Sequence, residues 1–271
     1  MEPVDGTRIP VSPRQSVHLA SEFDVLLSKP PRQDYVVHTI QNRQANGMPL
    51  MHAAIVIAGQ ETREAYPLAD AYPLHFRKTY FAARLQGDTA TEYARSQLAS
   101  KLLGLPPPIG YAAGEFRSCL LIGQPYSRLS PFGLDPEDAN LRAARELPLA
   151  AAFGLWHLLE DAFIKLLHLH NNGLAHGDTE LHNFVVCSSP VELLPIDFEA
   201  AQLQSELSPE AWSALREKDQ TPLLREAIYL QCALGAQHGA LAEASLSAAD
   251  RLFRAGDRFL RAIDRQAALS S

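Results

Sequence analysis

The sequence predicts an α+β fold in two parts, a small antiparallel sheet followed by a mainly helical half. Three observations carry this. Short β-like runs with period-two apolar spacing cluster early in the chain, in "DYVVHTI", "MHAAIVIAG" and "YPLHFRKTYFA". From Glu137 onward, apolar residues recur at helical spacing. Within that helical half, "FVVCSS" and "VELLPIDF" read as two short strands around a turn.

The bulk numbers admit such a fold. At 271 residues, with 46% hydrophobic and 20% charged content, the chain can bury a full core. A net charge of −7 argues against broad binding to a phosphate backbone, so nucleic acid is not expected as a partner. Cys119, Cys187 and Cys232 are odd in number and widely spaced, without a CxxC pattern. They read as small core residues of a reducing compartment. No run of about 18 uninterrupted apolar residues occurs, and the N-terminus lacks the basic-then-apolar order of a cleaved signal. The expected location is cytoplasmic, with delivery to another cell by a route without a cleaved signal left open, and no membrane span is expected.

Taken in order, residues 1–34 contain "RIPVSP" and "SKPPRQD", whose prolines break any helical period, and read as an extension. Residues 35–126 form the sheet part. In its third strand Leu74, Phe76, Lys78 and Tyr80 share one face, and Arg77 points the other way. "GDTATEYARSQLASKLLGLPPP" has an Asp/Thr start and a Gly-then-Pro stop, which predicts a helix. "FRSCLLIGQPYSRL" is a further apolar strand ending in a Gly-Gln-Pro-Tyr turn.

Residues 127–271 form the helical part. "ELPLAAAFGLWHLLEDAFIKLLHLHNNG" is a long buried helix stopped at Asn171-Asn172-Gly173. "TPLLREAIYLQCALGA" and "SAADRLFRAGDRFLRAID" are amphipathic closing helices. His168 and His170 sit two apart on a helix and face different sides, so with His176 they do not form a zinc cluster.

The stretch "GLAHGDTELHNFVV" places Asp178 and Asn183 five residues apart behind His176, and "IDFEAA" follows with Asp197 nineteen residues after Asp178. Alone, such a loop is most often an Asx turn. In sequence with a strand Lys, a helix Glu and an intervening strand pair, it resembles the catalytic loop and metal loop of the protein-kinase-like superfamily. The resemblance implies a two-lobed protein-kinase-like fold with a small antiparallel-sheet N-lobe and a mainly helical, reduced C-lobe, and an ATP- and Mg²⁺-dependent transfer of the γ-phosphoryl to a hydroxyl. Asp178 would orient the acceptor hydroxyl and take its proton. Asn183 and Asp197 would offer hard oxygens to Mg²⁺. Lys78, by its inward parity, would reach the nucleotide phosphates, with Glu92 pairing to it. Gln124 to Tyr126 would be the hinge under the adenine. Asp219, just before a helix beginning near Thr221, resembles the Asp that braces the catalytic loop.

The chain departs from the usual pattern at four places. No GxGxxG loop joins the first two strands; Gly177 stands where an Arg follows the catalytic His; Glu180 stands where Ser/Thr kinases carry a Lys; and Glu199 replaces the Gly of Asp-Phe-Gly. The pattern is nearest to atypical, minimal kinases such as the Kdo/lipopolysaccharide kinases, RIO kinases and bacterial effector kinases. A protein Ser/Thr is the leading acceptor. A small-molecule hydroxyl (sugar, lipid or antibiotic) is the alternative, and a pseudokinase acting as a binding module is the reading from a different class. Oligomeric state is not legible.

Overall fold

The computed structural model describes residues 25–45, 48–81, 89–121, 123–126, 149–188 and 190–238. The architecture is α+β, and the chain divides into two compact units, Met1–Ile122 and Gly123–Ser271. The extension before residue 25 and the closing helix expected over 247–264 lie outside the described residues. No helix among the described residues is long and apolar enough to cross a membrane.

The first unit is built on five antiparallel strands, β1 Tyr35–Ala45, β2 Met48–Ile57, β3 Leu74–Tyr80, β4 Pro108–Ala112 and β5 Glu115–Cys119, in the sheet order β1-β2-β3-β5-β4. The connection from β2 to β3, not expected to be helical, folds into two short helices, α1 Gln60–Ala65 and α2 Leu68–Ala71. Helix α3, Thr89–Leu103, packs against β4 and β5. Met51, Ala53, Tyr80 and Phe116 form one apolar cluster, with Phe76 and Tyr93 against it. A second gathers Ala58, Ala69, Ile109 and Cys119, with Tyr66 and Leu68 against it. The three expected early strands form. Leu74, expected on the inward face, is 39% exposed at the first position of β3.

In the second unit, α4, Leu149–Asn171, carries Trp156, Leu159, Ala162, Phe163 and Leu166 at three- and four-residue spacing. That stripe packs with Leu223, Ala227 and Leu230 of α5, Pro209–His238, and with Phe184 and Leu193 of the hairpin β8 (Phe184–Ser188) and β9 (Val191–Pro195). The helix stops as expected at Gly173, whose φ of +75° suits a residue without Cβ. A two-stranded ribbon joins β7, Leu174–Ala175, to β10, Gln202–Leu203.

Two expectations are corrected here. The run 116–126 is not one strand and a turn: Gly123–Pro125 forms a separate strand, β6, which pairs with β8 in a sheet of order β6-β8-β9, apart from the sheet that holds β5. The helix expected near Thr221 begins at Pro209 and runs through Pro222, so Asp219 lies inside it. Its start is signalled by "SPE". Ser208 caps it by accepting the N–H of Ala211 at 3.2 Å, and proline at the first helical position loses no intrahelical bond.

Candidate functional site

Each unit brings together one group of the predicted residues. In the first, β3 and the first turn of α3 place Lys78 Nζ 2.7 Å from Glu92 Oε1, with both side chains buried. Two charges removed from water are tolerable only as a well-bonded pair. Tyr80 helps by donating its hydroxyl to Glu92 Oε2 at 2.9 Å. The Lys78 ammonium also lies 5.9 Å from the centroid of the Phe116 ring.

Arg77 takes the opposite face, as its parity predicts, but that face is not solvent. It pairs at 3.0 Å with Asp34, whose other donors are Arg117 at 2.7 Å, Thr62 at 2.7 Å and the Gly59 N–H at 3.0 Å. Burial pushes the Asp34 carboxyl up, yet these hydrogen bonds and the Arg117 charge outweigh it and hold the group at about 2. His75, fully buried beside Arg117, is lowered to about 4 by burial and by that guanidinium. This polar cluster is not foreseen from the sequence. The alternation of His75 and Arg77 is its one local signal, since nothing local ties residue 34 to residue 117.

In the second unit the segment between β7 and β8 is fixed from several sides. The Asp219 carboxylate accepts the His176 N–H at 2.7 Å and the Gly177 N–H at 2.8 Å, and contacts His170 Nε2 at 3.0 Å. Thr179 donates its hydroxyl to the Asp219 carbonyl at 2.6 Å. His176 Nε2 donates to the Ile196 carbonyl at 2.9 Å, which assigns the proton to that nitrogen and leaves Nδ1 to accept the Asp178 N–H at 3.4 Å. Burial keeps this imidazole neutral by pushing its pKa down, against the pull of Asp219 and neighbouring acids.

Gly177 has a φ of +81°, and a Cβ there would stand 2.1 Å from the Ala200 carbonyl oxygen. That excludes every side chain, the Arg of the usual kinase pattern included.

These supports bring the acidic and amide groups together. Asn183 Nδ2 donates to the Asp178 carbonyl at 2.9 Å and to Asp178 Oδ2 at 3.0 Å. The Ile196 N–H donates to the Asn183 carbonyl at 2.8 Å, so the residue preceding Asp197 is tied to both His176 and Asn183. Asp197 itself, the one described non-glycine residue with positive φ, sits in the left-handed region at φ 67°, ψ 70°. That conformation costs a residue with a Cβ about 1–2 kcal/mol, and such strain collects at functional sites. Asp197 and Glu199 offer carboxylate oxygens within 4.8 Å of each other. With its nitrogen turned to Asp178, Asn183 has Oδ1 left as a carbonyl ligand. These are hard oxygen donors of the type Mg²⁺ takes.

Tyr126 is occupied differently. Its N–H donates to the Phe184 carbonyl at 2.9 Å and its hydroxyl to Glu226 at 3.1 Å, inside the core of the second unit. Burial, reinforced by the Glu226 carboxylate, pushes its phenol pKa up. Gln124 lies in β6, opposite Val186. Compared with known proteins, the sequence matches no family model and no curated protein.

Proposed function

We propose that the chain is an ATP- and Mg²⁺-dependent phosphotransferase of protein-kinase-like type, with a protein Ser/Thr hydroxyl as acceptor. The observation that carries this reading is the loop from His176 to Asn183, held by Asp219 so that Asp178 and Asn183 are hydrogen-bonded while Ile196 ties Asp197 to the same loop. Bound Mg²⁺ would supply charge to the phosphates, and Asn183 Oδ1, Asp197 and Glu199 are the groups that would hold it.

In this mechanism Asp178 accepts the hydroxyl proton through its carboxylate, while the bond from Asn183 fixes the carboxylate's orientation. Lys78 binds phosphate oxygens, and Glu92 with Tyr80 keeps the ammonium charged and aimed despite its burial. Little covalent work is asked of the protein, so positioning and charge account for the rate.

The test is incubation of the full chain with γ-labelled ATP and Mg²⁺, alone and with a cell extract, followed by separation of protein from small molecules. Label on protein Ser/Thr supports the proposal. Label in the small-molecule fraction moves the acceptor to a sugar, lipid or antibiotic hydroxyl. Label in neither, with nucleotide still bound, makes the chain a binding module.

A further inference from the structure

Phosphoryl transfer spreads negative charge over the equatorial oxygens of the moving group, and fixed cations aimed there lower the barrier. The segment from His176 to Asn183 contains Asp178 and Glu180 but no Lys or Arg. Among the described residues, Lys218 and Arg225 of α5 reach it. Lys218 Nζ donates to the Gly177 carbonyl at 2.7 Å, and Arg225 Nη2 lies 3.7 Å from Glu180 Oε2. Residues seven apart share a helix face. Asp219 holds the loop against that same helix through the His176 and Gly177 N–H groups.

The two cations differ in what they face. Arg225 pairs with a carboxylate, whereas Lys218 meets a neutral carbonyl, and among the described residues no carboxylate pairs with it. Lys218 is exposed, on a long stem, and its ammonium sits on the peptide that immediately precedes Asp178. Pro222 lies four residues beyond Lys218 and has no N–H for the Lys218 carbonyl, so the helix is locally relieved of one bond at this point.

We infer that Lys218 is the cation that neutralises the transferred phosphoryl group, supplied by α5 where the loop itself carries none. The inference rests on the phosphotransferase reading. In the step, the acceptor oxygen bonds to the γ-phosphorus as the bond from that phosphorus to the β-γ bridging oxygen breaks. The acceptor proton passes to Asp178, and the electron pair leaves with ADP. Lys218 makes and breaks no covalent bond and acts on the equatorial oxygens alone.

Wild type, Lys218→Met and Lys218→Arg are to be compared in the full chain. The readings are kcat and KM for ATP on the labelled acceptor, melting temperature, and calorimetric affinity for MgADP with and without aluminium fluoride, a planar phosphoryl mimic. Lys218→Met is expected to lower kcat about 10²-fold, with KM for ATP changed by less than about threefold, and Lys218→Arg to recover most of the loss. The tightening of MgADP by aluminium fluoride should vanish in Lys218→Met and persist in Lys218→Arg. If Lys218→Met keeps wild-type kcat, the inference falls while wild-type transfer leaves the phosphotransferase reading standing. A loss shared equally by MgADP affinity and melting temperature makes Lys218 a fastening for Gly177, and also overturns it. A wild type with neither transfer nor an aluminium fluoride effect overturns both.

Discussion

The Asp219 carboxylate accepts the Gly177 N–H at 2.8 Å, so a residue in the middle of α5 sets the position of the peptide before Asp178. Asp219→Asn replaces one acceptor oxygen with an amide donor facing other donors. Each buried N–H left without a partner costs about 1–3 kcal/mol. The variant is expected to melt about 5–10 °C lower, and its turnover to fall further than its nucleotide affinity. Scanning calorimetry with a parallel ATP titration checks this; unchanged melting would remove Asp219 as the brace.

Lys78 and Arg77 are neighbours with opposite duties, one on Glu92 and the other on Asp34. Lys78→Met should weaken ATP binding or turnover, whereas Arg77→Met should mainly lower stability. Removing Lys78 also strands a buried Glu92, a loss of about 3–5 kcal/mol. The comparison is therefore made in a Glu92→Gln background as well, as a double-mutant cycle. An ATP affinity more sensitive to Arg77 than to Lys78 would mean that the opposite face of β3 meets the nucleotide.

Acid should destabilise the first unit in two steps. His75 has a folded pKa of about 4, below its ordinary 6.5, so the unfolded chain holds more protons between those values and stability falls as pH drops from about 6.5 to 4. Asp34 is depressed from 3.8 to about 2, so its contribution is present above about pH 4 and disappears as pH falls through 2. The two shifts correspond to roughly 3 and 2 kcal/mol. Denaturant titrations at several pH values should show the upper step shrinking in His75→Gln and the lower one in Asp34→Asn. A His75→Gln profile parallel to wild type would remove His75 as the source of the upper step.

What the sequence made legible was local. The period-two alternation of β3 separated Lys78 from Arg77, and the Asn-Asn-Gly stop ended α4 where the chain turns. The sequence marked Asp178 and Asn183 by their spacing, but not the 3.0 Å hydrogen bond between them. Long-range pairings were not legible. That β6 leaves the sheet of β5 to pair with β8 depends on a partner far along the chain, and an apolar run carries no mark of which sheet it joins. The polar face of Asp34, His75 and Arg117 was hidden for the same reason, because charged residues on a strand read as solvent-facing until their partners are known.

Asp178 and Asp197 should fail in different ways. Asp178→Asn keeps the site's shape but cannot take the acceptor proton, so transfer should drop by about 10²-fold or more with ATP binding nearly intact. Asp197→Asn removes a charged oxygen donor, and the Mg²⁺ dependence of ATP binding should go with it. Calorimetric titration with and without Mg²⁺ separates them. Equal Mg²⁺-assisted affinity in Asp197→Asn and wild type would place the metal elsewhere.

Gly177 bears on control. A loop phosphate orders its segment only where charge-assisted donors await it. Residue 177 itself can supply no such donor side chain, because the left-handed backbone and the Ala200 carbonyl leave no room for one. The segment after Glu199 is also short, passing through β10 to the start of α5 at Pro209, and Ser208 is already engaged as the cap of that helix. The purified protein is therefore expected to work without phosphorylation of this segment, its activity set by access to acceptor. Phosphatase-treated and untreated protein should give the same initial rate. A large loss after phosphatase, restored by phosphorylation at Ser205 or Ser208, would show that another cation serves this loop, and constitutive activity would have to be abandoned.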